Sequence, residues 1–460
     1  MNEHSSSPTE FLRWFEQHTL PFESCDLAEP LGKSEKSFLG RLTQDAEVIG
    51  LGEMTHGASE IVRGRYRLLR NLIEEHNVTV IVMETEMSRT QILNDCVLTG
   101  KENPEDALAA TGSFLVANQE TLEFIEWLNE FNASQGDDQK RVHVVGCDMQ
   151  SLDGLQAMLT RLLNAKAHEM QSWSTQTADI LARLSELPTD DQLGSRIGLY
   201  FEELSCDSPS TDRVAELLRS QAELVDSVVP IVDDITASIN KIGFQQETCL
   251  SREECFYLDR CARMMHQCLE HYRFDQGSAP RDRSMAEYVL AIREHFSGQR
   301  LALLAGNLHV SRSPMQFEGY GQYSTTGSLI ASKLGEKYCA IGSAFYSGRY
   351  LGVAGNTAVE AIVVESHLPR EGTFELLLHS FAVATETPNF LLDLQTQRSS
   401  GVVFPWPENL LMHLGEAAPK QSYEATFVRQ SPHRQYDALQ FVTTTTPTNI
   451  LDGYYRFWKS

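Results

Sequence analysis

The sequence predicts an α/β fold, a mostly parallel sheet flanked by helices with an all-helical lobe inserted. Three observations predict it. Apolar runs at 46–51, 78–83 and 142–147 are each followed by helical periodicity. From 151 to 275, helical patterns succeed one another with no convincing strand between them, and the run RLALLA at 300–305 then restores the strand texture. The divisions expected are 1–150 for the first part of the α/β core, 151–275 for the helical lobe and 276–460 for the remainder of the core.

Taken in order, residues before about 36 read as a polar tail and a short helix with Phe11, Trp14 and Phe15 as its apolar contacts. The run at 46–51 is a buried strand, and 59–76 is a helix. Val62, Tyr66, Leu69 and Ile73 repeat at helical spacing, as does the neighbouring row Ile61, Arg65, Leu68 and Leu72. That second row holds an arginine facing the core. A guanidinium cannot shed its charge, so a carboxylate from the same turn or the adjacent strand is expected to meet it.

The run VTVIVM at 78–83 fits a central strand buried on both faces and ends in Glu84. A helix starts near Ser88, FIEWLNEFN is amphipathic, and the strand VHVVGC ends in Asp148. The helical lobe follows, in a position either to cap the strand ends or to act as scaffold. After a helix over 284–296, the strand at 300–305 leads into GNLHV, bringing Asn307 and His309 to a fourth strand end. Further strands are expected at 338–342, 361–364 and 437–442, while 365–432 is mixed and low in pattern.

Composition narrows the function. With 38 Lys and Arg against 63 Asp and Glu, the formal charge is −25, which repels phosphate backbones and anionic lipid. No nucleic-acid partner is expected. No segment is apolar for the length of a membrane span, and the N-terminus lacks a basic patch followed by an apolar core, so a cytoplasmic chain without a membrane partner is expected. Nine cysteines with no CxxC pair suggest neither a disulfide framework nor a zinc site. Cys255, Cys261 and Cys268 have helix spacing and read as small buried hydrophobes.

In a parallel sheet the C-terminal strand ends share one edge, where loops converge on a cleft. Here that edge carries Glu53, His56, Glu84, Asp148, Asn307 and His309, with no GxSxG elbow or P-loop. The set suits water activation: a histidine oriented by carboxylates takes a proton from water and returns it to a leaving alkoxide. His56 is the candidate base, Glu53 and Glu84 its orienting acids, and Arg65 their ion-pair partner or an oxyanion donor. Each residue alone has an ordinary structural explanation: a turn histidine, a helix-capping acid, a buried ion pair. Their collection at strand ends, with an inward arginine, is what favours function. No HExxH-like spacing supports a metal site and no cofactor is expected, while a metal-dependent hydrolase of another bond, using His56, Glu84 and His309, stands as a further reading.

These residues resemble the erythromycin esterase family, which also takes in proteins linked to succinoglycan biosynthesis. LGEMTHGASE resembles the family's GExTHGxxEF signature with Ile61 in place of the aromatic, and VIVMETE resembles the strand that ends in its essential glutamate. The likeness continues through FIEWLNEFN, VVGCDMQ, RDRSMAEYVL, LAGNLHV, TTGSLIASKLGEKYCAIGSAF and YDALQFV, more weakly in the helical lobe and after Gly348. It implies an α/β core with a helical lobe and a histidine that activates water to hydrolyse a macrolactone ester. By position the base falls on His56, its supporting glutamates on Glu53 and Glu84, and the active-site arginine on Arg65. His309 joins them as a catalytic candidate, with Asn307 and Asp148 as substrate contacts. One block departs: the family's WAHNxHV reads LAGNLHV here, with Gly306 in place of the first histidine. Glycine can neither protonate a leaving group nor polarise a carbonyl. The expectation is therefore an esterase-like hydrolase of a small molecule, macrolide-like or not. A catalytically impaired binding protein is the alternative.

Overall fold

The computed structural model describes residues 8–136, 140–167, 174–204, 210–243, 250–273, 279–317, 321–353, 361–395, 410–413 and 427–454. The lobe boundary expected at 275 and much of the low-pattern stretch before 427 lie outside the described residues. Contacts group the chain into two compact units, one of Met1–Thr85, Thr90–Val145 and Phe296–Ser460, the other of Glu86–Arg89 and Gly146–His295.

The chain begins with α1 (Pro8–His18), β1 (Thr19–Pro21) and α2 (Lys33–Thr43), followed by β2 (Val48–Glu53), α3 (Ser59–His76) and β3 (Val78–Glu86). Next come α4 (Met87–Thr99), α5 (Pro104–Ala110), α6 (Gln119–Ser134) and β4 (His143–Asp148). The chain returns with β5 (Arg300–Gly306), the one-turn helix Asn307–Val310, the hairpin of β6 (Met315–Phe317) and β7 (Gly321–Tyr323), the helix Thr326–Leu334 and the 16-residue β8 (Tyr338–Val353). It closes with β9 (Ala361–Glu365), the helix Phe374–Thr385, β10 (Asn389–Asp393), the pair β11 (Leu410–His413) and β12 (Phe427–Gln430), and β13 (Ala438–Thr445).

The main sheet runs in the order β1-β10-β13-β8-β2-β5-β3-β4, with β9 added to β8. Its centre is parallel: β13 with β8, β8 with β2, β2 with β5 and β5 with β3. β10 and β1 extend one side antiparallel, as β9 does on β8. The expected strand at 46–51 lies two residues further on, and all six residues of β2 are buried. Register then decides what meets at the strand ends. Glu53 pairs with Gly306, and Met83, the residue before Glu84, pairs with Leu304.

Helix α3 shows why one sequence row turns inward. Ile61, Val62, Tyr66, Leu68, Leu69, Leu72 and Ile73 are all buried, each worth about 1.5–3 kcal/mol relative to exposure. Asn77, at φ 55, ends the helix in the left-handed conformation, its amide bonded to Leu72 O. Ala58 at the other end supplies no side-chain cap. The first turn is held from elsewhere: Ser59 N–H donates to Thr446 O (2.8 Å), and Glu60 Oε2 accepts Thr446 N–H (2.6 Å) and the Thr445 hydroxyl (2.8 Å).

The second unit is helical: α7 (Leu152–Ala167), α8 (Ser174–Leu184), α9 (Asp190–Leu204), the 33-residue α10 (Thr211–Gly243), α11 (Arg252–Arg273) and α12 (Ala279–His295). The sequence reading put α12 with the returning core strands; its contacts group it with these helices. Cys261 and Cys268 are buried on α11, and no group of three potential metal ligands occurs among the described residues. No helix among the described residues is long and apolar enough to cross a membrane.

Candidate active site

The turn after β2 is built by close approach. A Cβ on Gly52 would lie 2.5 Å from Asn307 Oδ1 and 2.7 Å from Val310 Cγ2, so only glycine lets the one-turn helix after β5 settle on β2. Gly57 has φ +74, and a Cβ there would collide with Leu351. Its carbonyl accepts the amides of Leu351 (3.0 Å) and Thr448 (2.9 Å). Between these glycines, Met54 N–H donates to Ser343 Oγ on β8 (2.9 Å). His56 is thus carried on a turn fixed at both ends.

His56 Nδ1 lies 2.7 Å from Glu53 Oε1, which leaves Nε2 for proton transfer. Arg65, 5 % exposed, meets the other oxygen: Nη1 to Glu53 Oε2 is 3.2 Å. The inward arginine therefore has its acid, and the acid comes from the preceding strand end. Burial alone would raise the Glu53 pKa, but Arg65 and the His56 hydrogen bond hold it below the usual carboxylate range. Burial likewise disfavours imidazolium at His56, yet the Glu53 hydrogen bond and the charges of Glu53 and Glu84 outweigh it and raise that pKa above the ordinary histidine value. The ring keeps 31 % of its surface exposed and stands edge-on to Phe114, 6.2 Å between centroids.

A second acid–histidine pair stands opposite. Glu84 Oε2 accepts Gly306 N–H at 2.8 Å, and Glu84 Oε1 is 3.3 Å from His309 Nε2. A Cβ placed on Gly306 would lie 3.7 Å from His309 Cδ2 and 3.8 Å from both His56 Cε1 and Glu84 Oε2. One small space is therefore bordered by both imidazoles and by Glu84. Glu53, His56, Arg65, Glu84 and His309 all belong to this group.

The other two sequence candidates are engaged differently. Asn307 Nδ2 donates to Ser343 O (2.7 Å) and its Oδ1 accepts Ser343 N–H (3.0 Å), so the carboxamide pins the His309 turn to β8. Asp148 belongs to the helical unit, where Arg281 pairs with it at 2.7 Å and Met149 N–H donates to it at 2.8 Å. Sequence reading did not single out Phe114, Ser343 or Glu60. Ser343 serves both histidine turns from the middle of a strand, and nothing local marks it.

Two acid–histidine pairs thus stand at adjoining strand ends of an α/β fold, and comparison with known proteins gives the class. The erythromycin esterase family model matches residues 73–445, and the chain belongs to that family, a family of hydrolases. It is 22 % identical over 347 residues to erythromycin esterase type II of Escherichia coli, covering 74 % of this chain and 78 % of that one. It is 20 % identical over 453 residues to YbfO of Bacillus subtilis (strain 168), named as a hydrolase, covering 95 % and 92 %. Among solved structures, a Bacillus cereus protein superposes with a TM-score of 0.72 at 18 % identity, covering 97 % of this chain and 100 % of that one. A mutant of the erythromycin esterase EreC in its open conformation gives 0.64 at 16 %, covering 93 % and 98 %. At these identities the structural matches speak for the fold alone.

Proposed function

We propose that the chain hydrolyses a carboxylic ester or macrolactone of a small molecule, with His56 as general base. The single observation that carries this reading is the 2.7 Å contact between Glu53 and His56 Nδ1, which fixes the ring, leaves Nε2 basic and stabilises the imidazolium formed when water gives up a proton. The hydroxide attacks the ester carbonyl carbon, and the tetrahedral intermediate expels the alkoxide. The proton returns from His56, or arrives from His309, to give one acid and one alcohol. Glu84 orients His309, and Arg65 keeps Glu53 ionised. Asn307 and Asp148 are left out as substrate contacts because their polar atoms serve the Ser343 backbone and Arg281.

The names of the relatives make macrolides the first substrates to try, and cytoplasmic inactivation of such an antibiotic is the corresponding role. Gly306 favours a second reading, a hydrolase of the same design with a non-macrolide substrate. Purified chain is incubated with a panel of macrolides and simple aryl esters. Product is expected from at least one class, and its absence from both with folded protein overturns the reading. His56→Ala is expected to lower kcat by about 10²–10⁴-fold.

A further inference from the structure

Gly52 and Gly57 have structural causes, a close approach and a positive φ. Gly306 has neither. Its φ −59 and ψ 153 suit any L residue, and a Cβ there would make ordinary contacts of 3.7–3.8 Å on three sides. It occupies the N-cap of the one-turn helix Asn307–Val310, where a Ser, Asn or Asp side chain could accept a first-turn amide. Glycine also loses more conformational freedom on folding than any other residue. What remains as a gain is the space itself.

The walls of that space define what fits. Two are carbon edges of imidazoles, His56 Cε1 and His309 Cδ2. The third, Glu84 Oε2, already accepts the Gly306 amide. With two of the three nearest atoms carbon and the third already engaged, the space suits a methyl-sized apolar group better than a water, which wants two to four polar partners. Because His56 is one wall, a group seated here lies beside the ring that the hydrolase reading gives to water activation.

We propose that Gly306 is a specificity-determining residue that receives a branch on the carbon next to the scissile carbonyl, making esters of α-branched acids the preferred substrate class. This rests on the hydrolase reading above, and two arms separate their failures. In the first, [13C]-histidine NMR follows His56 while the full chain is titrated with isobutyramide and with butyramide, neutral isomers that differ only in the branch. Wild type is expected to bind the branched isomer about 10-fold more tightly, as a methyl in a fitted pocket allows. Gly306→Ala and Gly306→Val are expected to abolish or invert that preference. In the second arm, p-nitrophenyl isobutyrate and butyrate are compared, and the branched-to-linear ratio of kcat/KM is expected to fall in both variants.

A branch preference in binding without turnover of either ester keeps the pocket and removes the hydrolase reading. Turnover with a ratio unmoved by the variants keeps the hydrolase and removes the pocket. Equal affinities in wild type, or no shift of His56 with either amide, also overturns the proposal. Gly306→Ser, which caps the helix while filling the space, is the control should the other variants fold poorly.

Discussion

Two acid clusters in this chain invite comparison. In the first unit, Glu53 and Glu84 each hold a histidine. In the helical unit, Glu86, Asp148 and Asp190 lie among groups that satisfy them locally. Glu86 accepts Ser151 N–H (2.5 Å) and the Ser88 hydroxyl (3.0 Å). Asp190 accepts the Ser151 hydroxyl and Leu152 N–H, both at 2.7 Å, and so caps α7. Arg281 completes Asp148. Acids at strand ends are thus common to both, and what separates them is the partner. Amides, hydroxyls and a guanidinium finish a structural cluster, whereas the His56 imidazole, held at Nδ1 by Glu53, keeps Nε2 for moving a proton.

The largest test of this contrast removes one guanidinium from each. Arg65→Met leaves the buried Glu53 Oε2 without its guanidinium and is expected to cost about 3–5 kcal/mol, together with a large loss of kcat. Arg281→Met is expected to destabilise by a smaller amount, because Asp148 keeps the Met149 amide and Arg281 is 15 % exposed. Its kcat, measured well below the melting temperature, should stay at the wild-type value. Urea unfolding and steady-state kinetics on the same samples check both, and a loss of kcat in the Arg281 variant would erase the distinction.

A smaller effect is expected from Glu53→Gln, which keeps shape and removes charge. The raised His56 pKa depends on Glu53, so the acid limb of the kcat/KM profile should move to lower pH. The same coupling has a stability side. A histidine whose folded pKa lies above its unfolded one contributes stability fully at low pH and loses it as pH rises through the folded value. Glu53, lowered, contributes above its unfolded pKa and loses it as pH falls through the folded one.

Smaller still, Glu86→Gln should act on stability alone. Burial, then the charge of Asp148, pushes the Glu86 pKa up to about 8. The native state therefore holds a proton that the unfolded chain has released, and stability declines as pH rises from the ordinary carboxylate range toward 8. The variant should flatten that slope in thermal melts recorded from pH 5 to 8, and an unchanged slope would refute this assignment of the proton.

Much of this was legible in sequence where periodicity and charge disagreed. Helix α3 has the bounds its repeating rows indicate, and Arg65 announced a partner because a guanidinium sat on an apolar face. β8 was legible only at its start, since Ser343, Ser347 and Gly348 break the apolar run, yet the strand continues to Val353. β10 was missed because NFLLD sits in a stretch of mixed pattern, and its register with β13 is a long-range fact. The engagement of Asn307 by Ser343 was illegible for the same reason. A carboxamide beside a histidine looks like a substrate contact until the strand that occupies it is known.

The hydrogen bonds that fix the His56 turn also set an order of events during synthesis. Glu60, four residues after that histidine, takes its amide bond from Thr446, 386 positions further along, and Gly57 O waits for Thr448. A nascent chain can form α3 early, but it cannot set the turn until β13 and the residues just after it have left the ribosome. Activity should therefore arrive only once Thr446 and Thr448 have emerged, and C-terminal truncations before Thr446 should yield protein with helices and no assembled site.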